Sequence, residues 1–182
     1  MARAASIRRV FLIGFMGAGK TSAGKALAAL LGWRFQDLDD LIEAREGATV
    51  AAIFAEKGEA GFRQAETQAL EHLLQDTAHQ SDLVVALGGG TYVQLANRTL
   101  LEQADAVTVL LDAPVEELRR RCRTEDGVRP LARDEERFLE LYVQRQPAYA
   151  LARHKVQTLN KTVEAVAAEI AQLLSPRPEV TQ

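Results

Sequence analysis

Gly14-Phe15-Met16-Gly17-Ala18-Gly19-Lys20-Thr21 is a complete Gly-x4-Gly-Lys-[Ser/Thr] phosphate-binding loop. The apolar run Arg9-Val10-Phe11-Leu12-Ile13 before it reads as a buried strand. Thr21 to Leu31 after it carries Leu27, Leu30 and Leu31 at helical spacing. Strand, glycine loop and helix are the three parts the motif needs. The glycines allow positive φ and let backbone N–H groups approach phosphates with no Cβ in the way. The helix N-terminus adds partial positive charge. Lys20 can reach β- and γ-phosphates as a point charge. The Thr21 hydroxyl can ligate Mg²⁺, and Ser22 can cap the helix or touch the α-phosphate. Gly17, Ala18, Gly19, Lys20, Thr21 and Ser22 are therefore the nucleotide-binding candidates of this stretch. The plain alternative is a glycine-rich turn that merely joins a strand to a helix. The full pattern in its full context argues against it.

The 182 residues suit one domain spanning 1–182, with a core of ordinary size. A net charge of −3 disfavours non-specific binding to nucleic acid. Cys122 is the lone cysteine, which excludes a disulfide framework and a Cys/His metal cluster and fits a reducing, cytoplasmic setting. The start, Met1 to Ser6, has no long apolar core, so neither a signal peptide nor a membrane span is expected. The tail 176–182 is expected to fray.

Trp33 to Asp37 reads as a short second strand after Gly32 ends the first helix, and it runs into Leu38-Asp39-Asp40. In an extended chain Asp37 and Asp39 share a face, and in open α/β sheets ligands sit beyond such strand ends. One of the pair can serve a Mg²⁺ shell and the other a substrate hydroxyl. The plainer reading is that Asp39 or Asp40 caps a helix beginning at Leu41. Leu41 to Glu46, Val50 to about Gly58 and Glu59 to Gln75 read as helices, the last with Phe62, Ala65, Ala69, Leu70, Leu73 and Leu74 as its apolar stripe. Arg63 and Glu66 lie three apart there, which by itself suggests a surface ion pair. This helical insertion, about 38–77, exceeds what a crossover needs and suggests a substrate-binding lobe.

Asp82 to Leu87 reads as a strand ending in Gly88-Gly89-Gly90. Three glycines are costly in backbone entropy and make sense where a ligand lies against the main chain. Arg98 to Gln103 is expected to be helical, Ala106 to Asp112 a strand, and Pro114 the opening of a helix. That helix ends in Arg119-Arg120-Arg121-Cys122-Arg123, read mostly as a solvated face. The following polar loop suits a lid, about 120–134, over a triphosphate. Within it Arg129, fixed by Pro130, is the candidate phosphate clamp. Glu135 to Val143 reads as a helix ending at Arg145-Gln146-Pro147-Ala148-Tyr149, and His154 to Leu159 as a weak last strand. Thr162 caps the closing helix, with Val163, Val166, Ala167, Ile170, Leu173 and Leu174 inward. His72, His79 and His154 are read as structural or exposed.

Taken in order, Gly14 to Thr21, Asp37-Leu38-Asp39, Gly61-Phe62-Arg63 with Glu66, Gly88 to Gly90, Arg129-Pro130-Leu131 and Arg145 to Tyr149 resemble the shikimate kinase family from about Ile7 to Leu174. The phosphate loop alone says only "nucleotide"; the ordered set is specific. The resemblance implies an α/β fold, a five-stranded parallel sheet of order 2-3-1-4-5 with helices on both faces. It implies transfer of the γ-phosphoryl of ATP to the 3-hydroxyl of shikimate, a step towards chorismate. By the same resemblance Asp39 holds the shikimate hydroxyls and is the candidate base, Arg63 and Arg145 bind the carboxylate, and the Gly88–Gly90 backbone, chiefly Gly89, touches the ring's other groups. Lys20, Thr21 as Mg²⁺ ligand with Asp37 acting through water, and Arg129 from the lid serve the ATP. The segment Val156 to Lys161 looks short for the family, which leaves Lys161 or Asn160 as the adenine contact. A monomer is expected, with ATP and shikimate as its partners.

Two alternatives are a gluconate-type small-molecule kinase and a non-catalytic regulatory relative. The first is not expected to combine three glycines with Arg63 and Arg145. The second usually lacks part of the site or carries a further domain.

Overall fold

Arg9–Ile13 forms the central strand, β1, flanked in parallel by Leu83–Ala86 (β3) and Val107–Asp112 (β4). Arg34–Asp37 (β2) adds to β3 and His154–Gln157 (β5) adds to β4. These strands come from a computed structural model that describes residues 9–76, 82–124 and 134–174. The sheet has five parallel strands in the order β2-β3-β1-β4-β5, as the resemblance implies. Val10–Ile13, Leu83–Ala86 and Thr108–Leu111 are buried at every position. Successive strand residues point to opposite faces, so both faces are covered, as parallel sheets with helical crossovers require. The edge strands β2 and β5 are correspondingly more exposed.

The helices are α1 (Lys20–Leu31), α2 (Leu38–Glu46), α3 (Val50–Gln75), α4 (Leu95–Gln103), α5 (Val115–Thr124), α6 (Glu135–Tyr149) and α7 (Val163–Leu174), with a 3-10 turn at Thr91–Val93. Helix α1 packs on α7, and α2 on α3. Several boundaries differ from the sequence reading, each for a local reason. Helix α2 starts at Leu38, not Leu41, because Asp37 itself caps it, accepting a hydrogen bond from Asp39 N at 3.1 Å. Asp37 and Asp39 therefore do not share an extended chain; they are a cap and a first-turn residue. The two helices expected on either side of Gly58 are both present within α3, separated by a kink where Gly58 takes the non-helical φ 67° and ψ −176°. Helix α6 continues through Pro147 to Tyr149. A proline near a helix end removes one N–H without stopping the last turn. In α7 Val163 and Leu173 are 39 % and 41 % exposed, off the inward stripe of Val166, Ala167 and Ile170; in α1 Leu30 is likewise exposed, and of its leucines Leu27 alone is fully inside, beside Ala23 and Ala28.

Gly17 shows why the loop after β1 needs glycine. Its φ is 78°, and a Cβ there would lie 2.6 Å from the Leu118 carbonyl oxygen of α5 and 2.9 Å from Cys122 Sγ. Gly17→Ala is expected to destabilise the fold by about 1–3 kcal/mol through strain and overpacking. At roughly 2–4 °C per kcal/mol for a chain of this size, a thermal melt reads the loss directly. An unchanged midpoint would mean that α5 yields freely.

His79, Arg129, most of the expected lid and the tail 176–182 lie outside the described residues. Of the described histidines, His72 is exposed and His154 half-buried.

Candidate active site

The cleft forms where strands end. The phosphate loop follows β1, Asp37 closes β2, and Gly88–Gly90 follows β3. This is where parallel α/β sheets place their ligands. In the loop Gly19, at φ 85°, stands at the N-cap of α1, whose first turn carries no acidic residue to offset its positive end. The Lys20 ammonium curls back over the loop and donates to the carbonyls of Gly14 at 2.9 Å and Phe15 at 3.1 Å. The Thr21 hydroxyl donates to Asp37 Oδ2 at 2.8 Å, while Asp37 Oδ1 takes the Asp39 amide. Two hard oxygen donors on neighbouring elements thus face the phosphate loop, which is the donor chemistry Mg²⁺ prefers. Among the described residues no group of three or more His, Cys, Asp or Glu could hold a metal on its own.

The glycine triplet organises the other half of the cleft, with a charged side chain close to each glycine and Thr91 Oγ1 3.0 Å from a Cβ on Gly88. A Cβ on Gly88 would lie 3.1 Å from Asp39 Oδ1, one on Gly89 2.9 Å from Arg145 Nη1, and one on Gly90 2.5 Å from Arg63 Nη2. Asp39, Arg145 and Arg63 come from α2, α6 and α3, so the bare backbone is the surface on which three separate helices deliver their charges. Tyr149, four residues after Arg145, donates its hydroxyl to the Gly89 carbonyl at 2.5 Å. Burial pushes the Tyr149 hydroxyl up to about 12, so it stays a donor through the neutral range. Arg145 also lies with its guanidinium carbon 5.5 Å from the centre of the Phe15 ring, a cation–π contact beside the phosphate loop.

Arg63 and Glu66 are not a surface pair. Glu66 is 1 % exposed, and both its oxygens accept from Arg63 Nη1, at 3.2 and 3.0 Å. Arg63 Nη2 has the exposed Glu59 only at 3.7 Å, and Arg63 Nε is buried without a hydrogen-bond partner. Nε and Nη2 share one edge of the guanidinium plane, the edge that receives a carboxylate side-on. Glu66 thus occupies one end of the fork, and the Nε at its other edge lies buried and unpaired.

A cleft of about 450 Å³ opens on the far side of the loop, between Gly17–Gly19, Ser22, Arg121 and the Thr158–Thr162 segment. Asn160, at φ 57°, and Lys161 both border it, and the Lys161 ammonium is paired with Glu169. Arg121 departs from the solvated face expected of its cluster. It pairs with Glu117 and donates to Thr158 Oγ1 at 3.0 Å and to the Thr158 carbonyl at 3.1 Å, tying α5 to the segment after β5. The Glu117–Arg121 spacing of four was the available signal. Hydrogen bonds from Arg120 first, then Arg121, hold the Glu117 carboxyl down at about 2. Tyr149 and Arg121 are the site-bordering residues that sequence reading left without a role.

Comparison with known proteins finds relatives over nearly the whole chain. A model of the family described as "Shikimate kinase" matches residues 16–175. The shikimate kinase of Geobacter metallireducens is 43 % identical over 175 residues, spanning 94 % of this chain and 94 % of the relative. That of Salinibacter ruber is 40 % identical over 182 residues, spanning 94 % and 86 %. The structure of shikimate kinase from Acinetobacter baumannii in complex with shikimate superposes with a TM-score of 0.81 at 38 % identity, over 92 % of this chain and 93 % of that one. A sugar kinase from Janibacter, 18 % identical with a TM-score of 0.64, shares the fold alone. With its sheet order, its motifs and its relatives in agreement over nearly the whole length, the chain belongs to the shikimate kinase family.

Proposed function

We propose that this cleft transfers the γ-phosphoryl group of ATP to the 3-hydroxyl of shikimate, yielding ADP and 3-phosphoshikimate on the way to chorismate and the aromatic amino acids. One observation carries the reading: the glycine triplet faces the Asp39 carboxylate and two guanidinium groups, with the Arg63-paired Glu66 behind them. Shikimate is a small polyol with one carboxylate. Guanidinium forks suit the carboxylate, and an aspartate suits the hydroxyls. The Arg63 guanidinium is the carboxylate seat, with Arg145 as the second cation. Asp39 receives the hydroxyls and acts as base towards the attacking one. The main chain of Gly88, Gly89 and Gly90 lines the ring.

Phosphoryl transfer needs alignment and charge stabilisation more than covalent help. Gly17, Ala18 and Gly19 offer backbone N–H groups to the phosphates, Lys20 follows the β- and γ-oxygens, and Ser22 lies at the α-phosphate. Thr21 would hold Mg²⁺ directly and Asp37 through water, and the ion would neutralise phosphate charge there. Arg129 supplies the lid's positive charge, and Lys161 or Asn160 meets the adenine. The domain reading is one unit, with α2 and α3 in the substrate lobe 38–77 and a lid at 120–134. The chain is read as a monomer. Dependence on ATP supports a cytoplasmic setting. No helix among the described residues is long and apolar enough to cross a membrane.

The test is ADP release from Mg-ATP with shikimate, gluconate, a nucleoside monophosphate or no acceptor. Turnover with shikimate alone, at the ~1–100 s⁻¹ common for kinases, is the expected result. Turnover with another acceptor would keep the fold and discard the substrate site. ATP binding without any turnover would favour a regulatory role.

Gly90→Ala tests the substrate half by itself. Its Cβ would push the Arg63 guanidinium, already held by Glu66, away from the ring, and the KM for shikimate is expected to rise about 10-fold or more. The KM for ATP should stay where it is. Steady-state kinetics with each substrate varied decides it, and a matched rise in both constants would contradict the placement.

A further inference from the structure

The fork of Arg63 is aimed by a buried polar chain that reaches away from the cleft. Thr91 Oγ1 donates to Glu66 Oε1 at 2.5 Å. Asn97 Nδ2, on α4, donates to the Thr91 carbonyl at 3.0 Å, and Thr67 Oγ1 donates to Asn97 Oδ1 at 2.8 Å. Glu66, Thr91 and Asn97 are 1 %, 0 % and 0 % exposed. The chain leaves α3 at Thr67, passes through α4 and the 3-10 turn, and returns to α3 at Glu66. A carboxylate this deeply buried needs several donors, and the direction of those donors sets its plane. Arg63 Nη1 meets both oxygens of Glu66, so the carboxylate anchors that end of the guanidinium.

We propose that Thr91, supported by Asn97, is a positioning residue for substrate binding: its hydroxyl fixes the Glu66 carboxylate, which anchors the Arg63 guanidinium for the substrate's carboxylate. This rests on the assignment of Arg63 as a carboxylate ligand.

The test is a double-mutant cycle of Thr91→Val and Arg63→Ala in the full chain, with Thr91→Ser alongside and melting curves on every variant. Thr91→Val keeps the shape and removes only the donor. It is expected to raise the KM for shikimate about 10-fold while the KM for ATP and kcat change by no more than about twofold. Thr91→Ser, which keeps the hydroxyl, should restore a wild-type KM. In the Arg63→Ala background Thr91→Val should add little, because the two act in series. An unchanged KM in Thr91→Val, or an equal rise whether or not Arg63 is present, overturns the positioning role while leaving Arg63 in place. An unchanged KM in Arg63→Ala alone overturns the ligand assignment, and this proposal with it. Should T91V not yield folded protein, Thr91→Ala takes its place in the same cycle.

Discussion

Lys20→Ala is expected to lower kcat by about 10²–10³ with the fold intact. The ammonium is tethered to two loop carbonyls, Gly14 O and Phe15 O, and needs only a side-chain rotation to meet phosphate oxygens above the loop. Charge spreads over the γ-phosphoryl oxygens as the bond to ADP loosens, so a fixed cation there stabilises the transition state more than the ground state. The rise in KM for ATP should therefore be smaller than the fall in kcat. The structural cost is small because Lys20 opens a helix and carries no core packing. Stopped turnover with a preserved melt is the outcome that supports the assignment. Near-normal turnover would remove the loop from the chemistry.

Asp39→Asn is expected to lower kcat by about 10²-fold, within the range general-base removal commonly shows. The side chain sits in the first turn of α2, its backbone held by the Asp37 cap and its carboxylate against Gly88. Asparagine keeps the shape and one acceptor oxygen but cannot take a proton. Asp39→Ala should be worse, adding a rise in shikimate KM as the hydroxyls lose their partner. A pair of variants with kcat near wild type but raised KM would make Asp39 a binding group only. A normal kcat and KM in Asp39→Asn would place the base elsewhere.

The phosphate half of the site was legible in the sequence because it is contiguous. Gly14 to Thr21 carries its own strand, turn and helix, so local rules sufficed. The substrate half was not. Asp37 and Asp39 were read as one extended face, because nothing local announces that Asp37 is itself the helix cap. Arg63 and Glu66 taken alone read as a surface pair, because a spacing of three says nothing of burial. Arg121 was lost among four arginines, because its partner Thr158 lies 37 residues on.

By itself the sequence determined the order of strands and helices along the chain, the phosphate loop and the glycine triplet. Each is set by periodicity, capping or backbone freedom within a few residues. The order β2-β3-β1-β4-β5 entered by resemblance, and non-local pairing decided it. Only the tertiary structure decided which glycine faces which charge, that Glu66 is buried, and that Arg63 Nε lies buried and unpaired. The physical reason is the same for all three. Each depends on helices distant in the chain meeting at the ends of neighbouring strands, and no local pattern encodes that meeting.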